Sequence, residues 1–298
     1  MPNPTRPHNK GCFFKYMSPN TAKAVLGNCT LRWSSPILFN DPFDVPREMS
    51  FGITSEEIME ALSVRMIQLI ESPPTHTDDL QPEVKLIVKT VKKGVPERVK
   101  KELIEGLKDV ATAHQPPGKS MDELRAMWRM FIPDFRILCL AESPSHEAMW
   151  CHYGSQYTGA VFEFRCIEKL DSAWFMAKPV KYPAMEPDVY TAEGWARILT
   201  MPHEKAVRTI LDISTYTESQ DWSYEKEWRI TSFKRPNDTG NFTDYKFHPE
   251  ELAAIYLGPM ITSEDSDKLC KLAQKYPKVS VWNVAIGMDR EFKFKKHS

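Results

Sequence analysis

The order of elements predicts an α+β protein: a mixed or antiparallel sheet core with a helical lobe inserted into it. Three observations carry this. The chain opens with a short strand–helix–strand unit. A block of helical periodicity follows over residues ~50–130, and from Arg136 onward the texture turns β-rich. The opening strands have too few partners of their own, so they are expected to pair with the later ones around the helices. That makes residues 1–298 a single domain holding a lobe at 50–130.

Residues 1–11 are polar and Pro-rich and read as a loosely held tail. Cys12 to Met17 is aromatic-rich and strand-like. Ser18-Pro-Asn-Thr21 punctuates, Ala22 to Leu26 makes a short helix, and Gly27-Asn28 is its expected stop. Thr30 to Trp33 returns as a strand and leads into Ser34-Ser-Pro-Ile-Leu-Phe-Asn-Asp-Pro-Phe-Asp44. Pro42 biases Asp41 toward an extended or turn conformation, with Phe39 and Phe43 placed to clamp the turn.

In the helical block Thr54-Ser-Glu-Glu57 reads as a capping box, and Ile58, Met59, Leu62, Met66, Leu69 and Ile70 recur at helical spacing until Pro73-Pro74. Val84 to Val91 and Leu103 to Val110 mark two more helices. The lysines and arginines around Gly94-Val-Pro96 read as a solvated face. Gln115-Pro-Pro-Gly-Lys119 is a linker, and Ser120-Met-Asp-Glu123 opens a helix through Met130. Beyond it, strands are expected at Arg136–Ala141, Gly159–Phe164, Lys178–Tyr182, Glu227–Phe233, Tyr245–Phe247, Ala254–Leu257 and Val279–Val284. Helices are expected at Glu147–Tyr153, within 190–217 and at Ser263–Lys275.

Composition narrows the function classes. A formal net charge of −1 gives no global basic field to recruit nucleic acid or an anionic membrane. No run of about 20 apolar residues is available to span a bilayer, and the N-terminus lacks a signal-peptide core. Six scattered cysteines without a C-x-x-C pair suit reduced thiols in a cytoplasmic protein, not a disulfide framework or a zinc site.

Three clusters can carry chemistry. The first is the opening strands and their loop: Lys15, Tyr16, Ser34, Ser35, Asn40, Asp41 and Asp44. The second is Met149-Trp-Cys-His-Tyr-Gly154, where His152 and Tyr153 end a short helix; a capping or core role for His152 is the competing reading. The third is Trp222-Ser-Tyr-Glu-Lys-Glu-Trp-Arg-Ile230. Read as a strand, it sets Glu225, Glu227 and Arg229 on one face, with Trp228 and Ile230 on the other as a core face. An exposed edge of ion pairs is the plainer interpretation of that row. Paired carboxylates also suit chemistry at a sugar's anomeric carbon, where a glutamate bonds a ribose hydroxyl and stabilises oxocarbenium charge. Tyr16 or Tyr153 would then stack a flat ring, Ser34 or Ser35 would hydrogen-bond an amide or ribose, and Lys15, Arg32 or Arg229 would offset phosphate charge.

Phe14-Lys-Tyr16, the Phe-Asn-Asp-Pro-Phe-Asp core ending at Asp44, Glu142-Ser-Pro with Met-Trp-x-His-Tyr153, Tyr224-Glu-Lys-Glu-Trp-Arg-Ile230 and Leu252 to Gly258 together resemble the prokaryotic and phage family called domain of unknown function 2971. The match spans nearly the whole chain apart from the helical lobe, and the family name carries no activity. A more distant resemblance is to the ADP-ribosyltransferase fold: strand, short helix, strand near the N-terminus, then Glu-x-Glu on a late strand. That likeness implies NAD as substrate, Lys15 or Tyr16 holding it, Ser34 beside the nicotinamide, and Glu227 as the catalytic carboxylate. It departs from the pattern in having Lys15-Tyr16 where a His or Arg is usual. The implied reaction breaks the nicotinamide–ribose bond, with water or a macromolecule (protein or nucleic acid) as acceptor, a role that suits a toxin or an effector in phage conflict. The alternatives are a metal-dependent nuclease using Asp41, Asp44, Glu142 and Glu227 as Mg²⁺ ligands, and a non-catalytic module that binds a nucleotide or partner.

Overall fold

A computed structural model describes residues 6–47, 52–112 and 118–297. It is mixed α+β, and the chain divides into two compact units, residues 1–40, 133–181 and 220–298 in the first and 41–132 and 182–219 in the second. The helical block expected at 50–130 lies in the second unit, which also takes in 182–219.

The first unit opens with strand β1 (Cys12–Met17), helix α1 (Pro19–Asn28) and strand β2 (Thr30–Ser34). Helix α1 starts on a Ser18 side-chain cap. It runs through Gly27 and stops at Cys29, which takes a left-handed φ of 55° while its N–H donates to the Val25 carbonyl. The expected stop at Gly27-Asn28 was thus two residues early: the αL position falls on a cysteine, and the cost of that conformation is met by tertiary packing. Then come β3 (Phe135–Leu140), β4 (Ala160–Arg165), β5 (Lys178–Pro179), β6 (Trp228–Phe233), β7 (Phe242–Lys246), β8 (Leu252–Leu257), β9 (Ser280–Ile286) and β10 (Phe292–Lys296). The short helix Glu147–His152 precedes β4, and the helix Ser263–Ala273 precedes β9.

These strands form two five-stranded sheets, β1-β4-β8-β9-β10 and β5-β6-β3-β2-β7. All pairings are antiparallel except β8 with β9. The sheets meet at one seam, where Phe14 and Ala141 exchange backbone hydrogen bonds of 2.9 and 2.8 Å. Side chains from both sheets fill the core: Phe13, Phe162, Phe164, Ile255 and Leu257 from one, Leu31, Trp33, Leu138, Leu140, Trp228 and Ile230 from the other. Alternation along β3 and β6 therefore leaves Cys139 and Arg229 on the face turned away from that core.

The expected loose tail is wrong from Arg6 onward. Arg6 lies 3.7 Å over the Phe175 ring and pairs with Glu168. His8 donates from Nε2 to the Trp174 carbonyl (2.9 Å) and accepts the Lys10 N–H on Nδ1 (2.9 Å). Residues this polar read as a tail in isolation; aromatic partners over 160 residues away hold them.

The second unit is helical. Helix α2 (Ser55–Glu71) starts on the expected box: Thr54 Oγ1 accepts the Glu57 N–H (3.1 Å) and Glu57 Oε2 accepts the Thr54 N–H (2.7 Å). Leu69, Leu80, Val84 and Val88 pack together beside it. The helix Glu97–Thr112 is tied to α2 by a Ser63 hydroxyl bond to the Leu107 carbonyl (2.8 Å). The helix Gly118–Phe131 begins two residues before the expected Ser120 cap, and 115–117 of the expected linker lie outside the described residues. Helices Ala192–Leu199 and His203–Tyr216 complete the unit.

Candidate functional site

Strand β6 was expected to begin at Glu227 with Glu225 in line before it. Instead Glu225 ends a 3₁₀ turn (Gln220–Glu225), Lys226 takes a left-handed φ of 46°, and the strand begins at Trp228. The turn throws Lys226 outward and leaves the carboxylates on either side buried: Glu225 is 6% exposed and Glu227 5%. Arg229, 1% exposed, places Nη2 2.7 Å from Glu227 Oε2. The pairing register sets Arg229 opposite Cys139 on β3 and Lys178 on β5, so these three form one row across the sheet.

Two further side chains join the carboxylates. The Cys139 thiol donates to Glu227; burial and that carboxylate together hold it well above the usual thiol range. The Tyr153 hydroxyl donates to Glu225, and its pKa is pushed up by burial, then by Glu225 and Glu227. Tyr153 keeps 37% of its surface exposed, so it links the buried pair to solvent. Lys15 reaches across the seam from β1 and donates to the Cys139 carbonyl at 2.7 Å. The Phe39 ring lies 5.7 Å from the Arg229 guanidinium carbon, within cation–π range. Glu225, Glu227, Arg229, Tyr153 and Lys15, drawn from three distant stretches, thus come together around Cys139.

Local structure explains why these groups stay put. On the core side of β6, Trp228 donates its indole N–H to Glu142 (2.7 Å), Glu142 pairs with Lys10 (2.9 Å), and His8 meets the Trp228 ring edge-on at 5.2 Å. On the Tyr153 side, Ser155, Gln156 and Tyr157 are three consecutive non-glycine residues in the left-handed region, at φ of 52°, 52° and 67°. Fully buried Trp150, whose indole donates to the Pro144 carbonyl at 2.7 Å, anchors that turn. Gly159 is obligatory beside it, since a Cβ there would stand 2.1 Å from the Met17 carbonyl.

Other expected residues take other parts. Tyr16 is 4% exposed; its hydroxyl donates to the Ser143 carbonyl (2.8 Å) and accepts the His146 N–H (3.1 Å), and its ring packs edge-on against Trp150. No face of it is open to stack a ligand. Ser35 is fully buried and caps a 3₁₀ turn, accepting the Ile37 N–H at 3.3 Å. Ser34 ends β2 opposite Ile137, two residues from Cys139 along β3 and on the same face. Asn40 is exposed at the end of the first unit's opening segment. Asp41 belongs to the second unit, where its carboxylate accepts the Phe43 N–H (2.8 Å) in an Asx turn. Phe43 is 87% exposed, so it clamps nothing. His152 is exposed, its ring 6.5 Å from that of Trp222.

Glu142 and Glu227 lie on opposite sides of β6, the first beside Lys10 and Trp228 on the core side. They do not face one another as ligands of a single cation would. Among the described residues, no group of three or more His, Cys, Asp or Glu side chains is arranged to hold a metal ion.

Sequence reasoning missed Cys139, whose place opposite Arg229 depends on strand register, and His146. The His146 ring stacks on Tyr224 at 5.5 Å, next to Trp222. Compared with protein-family models, curated proteins and solved structures, the chain matches none.

Proposed function

We propose that this protein is an ADP-ribosyltransferase-like enzyme that breaks the nicotinamide–ribose bond of NAD and passes ADP-ribose to water or to a macromolecular acceptor. One observation supports the reading above the rest: two buried carboxylates, Glu225 and Glu227, converge with a guanidinium, a half-exposed phenol and Lys15 beside the seam between the sheets. In the proposed step the bond from ribose C1′ to the nicotinamide nitrogen breaks. Its electron pair goes to the ring nitrogen, cancelling the pyridinium charge. Glu227, held in place by Arg229 and Cys139, bonds a ribose hydroxyl and stabilises the oxocarbenium ion. The incoming nucleophile attacks C1′ and its proton passes to Glu225, with Tyr153 at the solvent edge of that carboxylate.

The test is chromatographic measurement of nicotinamide release from NAD by the purified full chain, with and without cell extract as acceptor. Glu227→Gln is expected to slow release about 100-fold or more, at a temperature where circular dichroism shows the variant folded. A folded wild-type protein that leaves NAD intact under both conditions, or a Glu227→Gln protein that releases nicotinamide at the wild-type rate, overturns the proposal.

A further inference from the structure

One edge of the β1-β4-β8-β9-β10 sheet is strand β10, which is paired to β9 alone among the described residues. It has no part in the NAD-cleaving reading and stands or falls separately. Two hydrogen bonds fix which way its backbone faces. Gly287 donates to the Glu291 carbonyl and His297 donates to the Val281 carbonyl, both at 2.8 Å. Bonded residues alternate along an antiparallel ladder, so Lys293 and Lys295 complete the bonds to β9. The N–H and C=O groups of Phe292, Phe294 and Lys296 therefore point away from β9, where they have no partner among the described residues.

The two faces of the edge differ. On one, Phe292, Phe294 and Lys296 stand opposite Ile286, Val284 and Trp282. Ile286 and Phe294 are exposed there and form an apolar patch at the rim of the sheet. The other face carries Lys293 and Lys295. Lys293 is already held by Asp289 at 2.6 Å and by Glu291 at 3.6 Å. Those two acids carry one charge more than Lys293 offsets, and Arg290 in the same turn balances it. The charge left over on the hairpin is that of Lys295 and Lys296, both exposed and without an ion pair among the described residues.

An open edge beside exposed apolar side chains is a template for a further strand. Lysines along it oppose pairing with a second copy of the same edge, which would bring like charges together. They favour a strand that sets acids opposite Lys295 and Lys296 and an apolar side chain opposite Phe294. We propose that β10 is the docking edge for an extended acidic segment of a partner protein. The segment joins the five-stranded sheet as a further strand, an apolar residue covering Phe294 and two consecutive acidic residues answering Lys295 and Lys296.

The probes are fluorescein-labelled hexapeptides, Val-Thr-Val-Glu-Glu-Val and the same sequence reversed to allow either strand direction, titrated with the full chain by fluorescence anisotropy. One of the two is expected to bind saturably. Lysine in place of both glutamates should abolish binding, and N-methylation of the peptide backbone should weaken it about tenfold or more. Lys295→Glu together with Lys296→Glu should reverse the choice, so that the lysine peptide binds and the glutamate peptide does not, an outcome that loss of folding cannot produce. Amide hydrogen exchange should slow at Phe294 and Lys296 on binding and stay unchanged at Lys293 and Lys295, which β9 already holds. Absence of saturable binding of either peptide up to about 1 mM overturns the proposal. So does an N-methylated peptide that binds as tightly, or binding that leaves the Phe294 and Lys296 amides unprotected, since contact is then by charge alone. Dimers that protect those amides without any peptide would give the edge to a second copy and overturn it too.

Discussion

The Glu227–Arg229 pair is the most exacting place to test the site. Replacing Glu227 by Gln keeps the shape and removes the charge lying 2.7 Å from Arg229, where both side chains are almost wholly out of solvent, at 6% and 1% exposure. Removing one partner of a buried ion pair costs about 3–5 kcal/mol, because the remaining charge loses a counter-charge that water cannot replace. The first unit contains about 170 residues. For a unit of that size each kcal/mol lowers the melting temperature by about 2–4 °C, so the expected loss is about 6–20 °C. Replacing both residues, Glu227→Gln with Arg229→Met, should recover a large part of it, since no buried charge is then left without its counter-charge. Differential scanning calorimetry of the two single variants, the double variant and the wild type closes the cycle. A fall of less than about 2 °C for Glu227→Gln, or single-variant losses that simply add in the double, would mean that the pair is solvated and weakly coupled. A glutamate held rigidly for the proposed chemistry would then have lost its physical basis.

Two further outcomes follow from features around the site. Gln156→Gly should stabilise the protein: a non-glycine residue at φ 52° carries about 1–2 kcal/mol of left-handed strain. Glycine's extra chain entropy takes back about 0.5–1 kcal/mol. The net gain of about 0–1.5 kcal/mol corresponds to a rise of up to about 6 °C in melting temperature, and a fall would show that the side chain holds the turn. On the other side of β6, burial lowers the His8 pKa below its usual 6.5, so the folded state favours the neutral ring. Below that value the unfolded chain takes up a proton that the native one resists. Stability is therefore full above pH 6.5 and declines as pH falls beneath it. His8→Gln, which can keep both hydrogen bonds without titrating, should flatten thermal melts between pH 7.5 and 5.5; an unchanged slope refutes the assignment.

The sequence disclosed much of this through periodicity and little of it through register. Apolar runs placed β1, β3, β4 and β8 to within a residue or two, because buried strands must be continuous in hydrophobicity. The alternation Glu227-Trp228-Arg229-Ile230 told correctly which side chains enter the core. It failed one step earlier at Glu225, since the left-handed Lys226 that separates turn from strand has no compositional mark. Strand β10 escaped notice because Phe292-Lys-Phe-Lys-Lys296 reads as a charged end, and its hydrogen bonds to β9 supply what its burial does not. The part played by Cys139 depends on which residue of β3 faces Arg229, a pairing that no local pattern encodes.

The chain passes between its two compact units four times, and this has a temporal side. Lys15 leaves the ribosome more than two hundred residues before Glu227. At about 5–20 residues per second that interval is about 10–40 s. During it β1 lacks β4 and β3 lacks β6, so the nascent molecule exposes sticky strand edges while two helical insertions are being made. Only when Arg229 arrives can the carboxylates be drawn in. The buried carboxylate pair is therefore among the later parts of the molecule to be completed, and a product truncated before Glu227 would lack it.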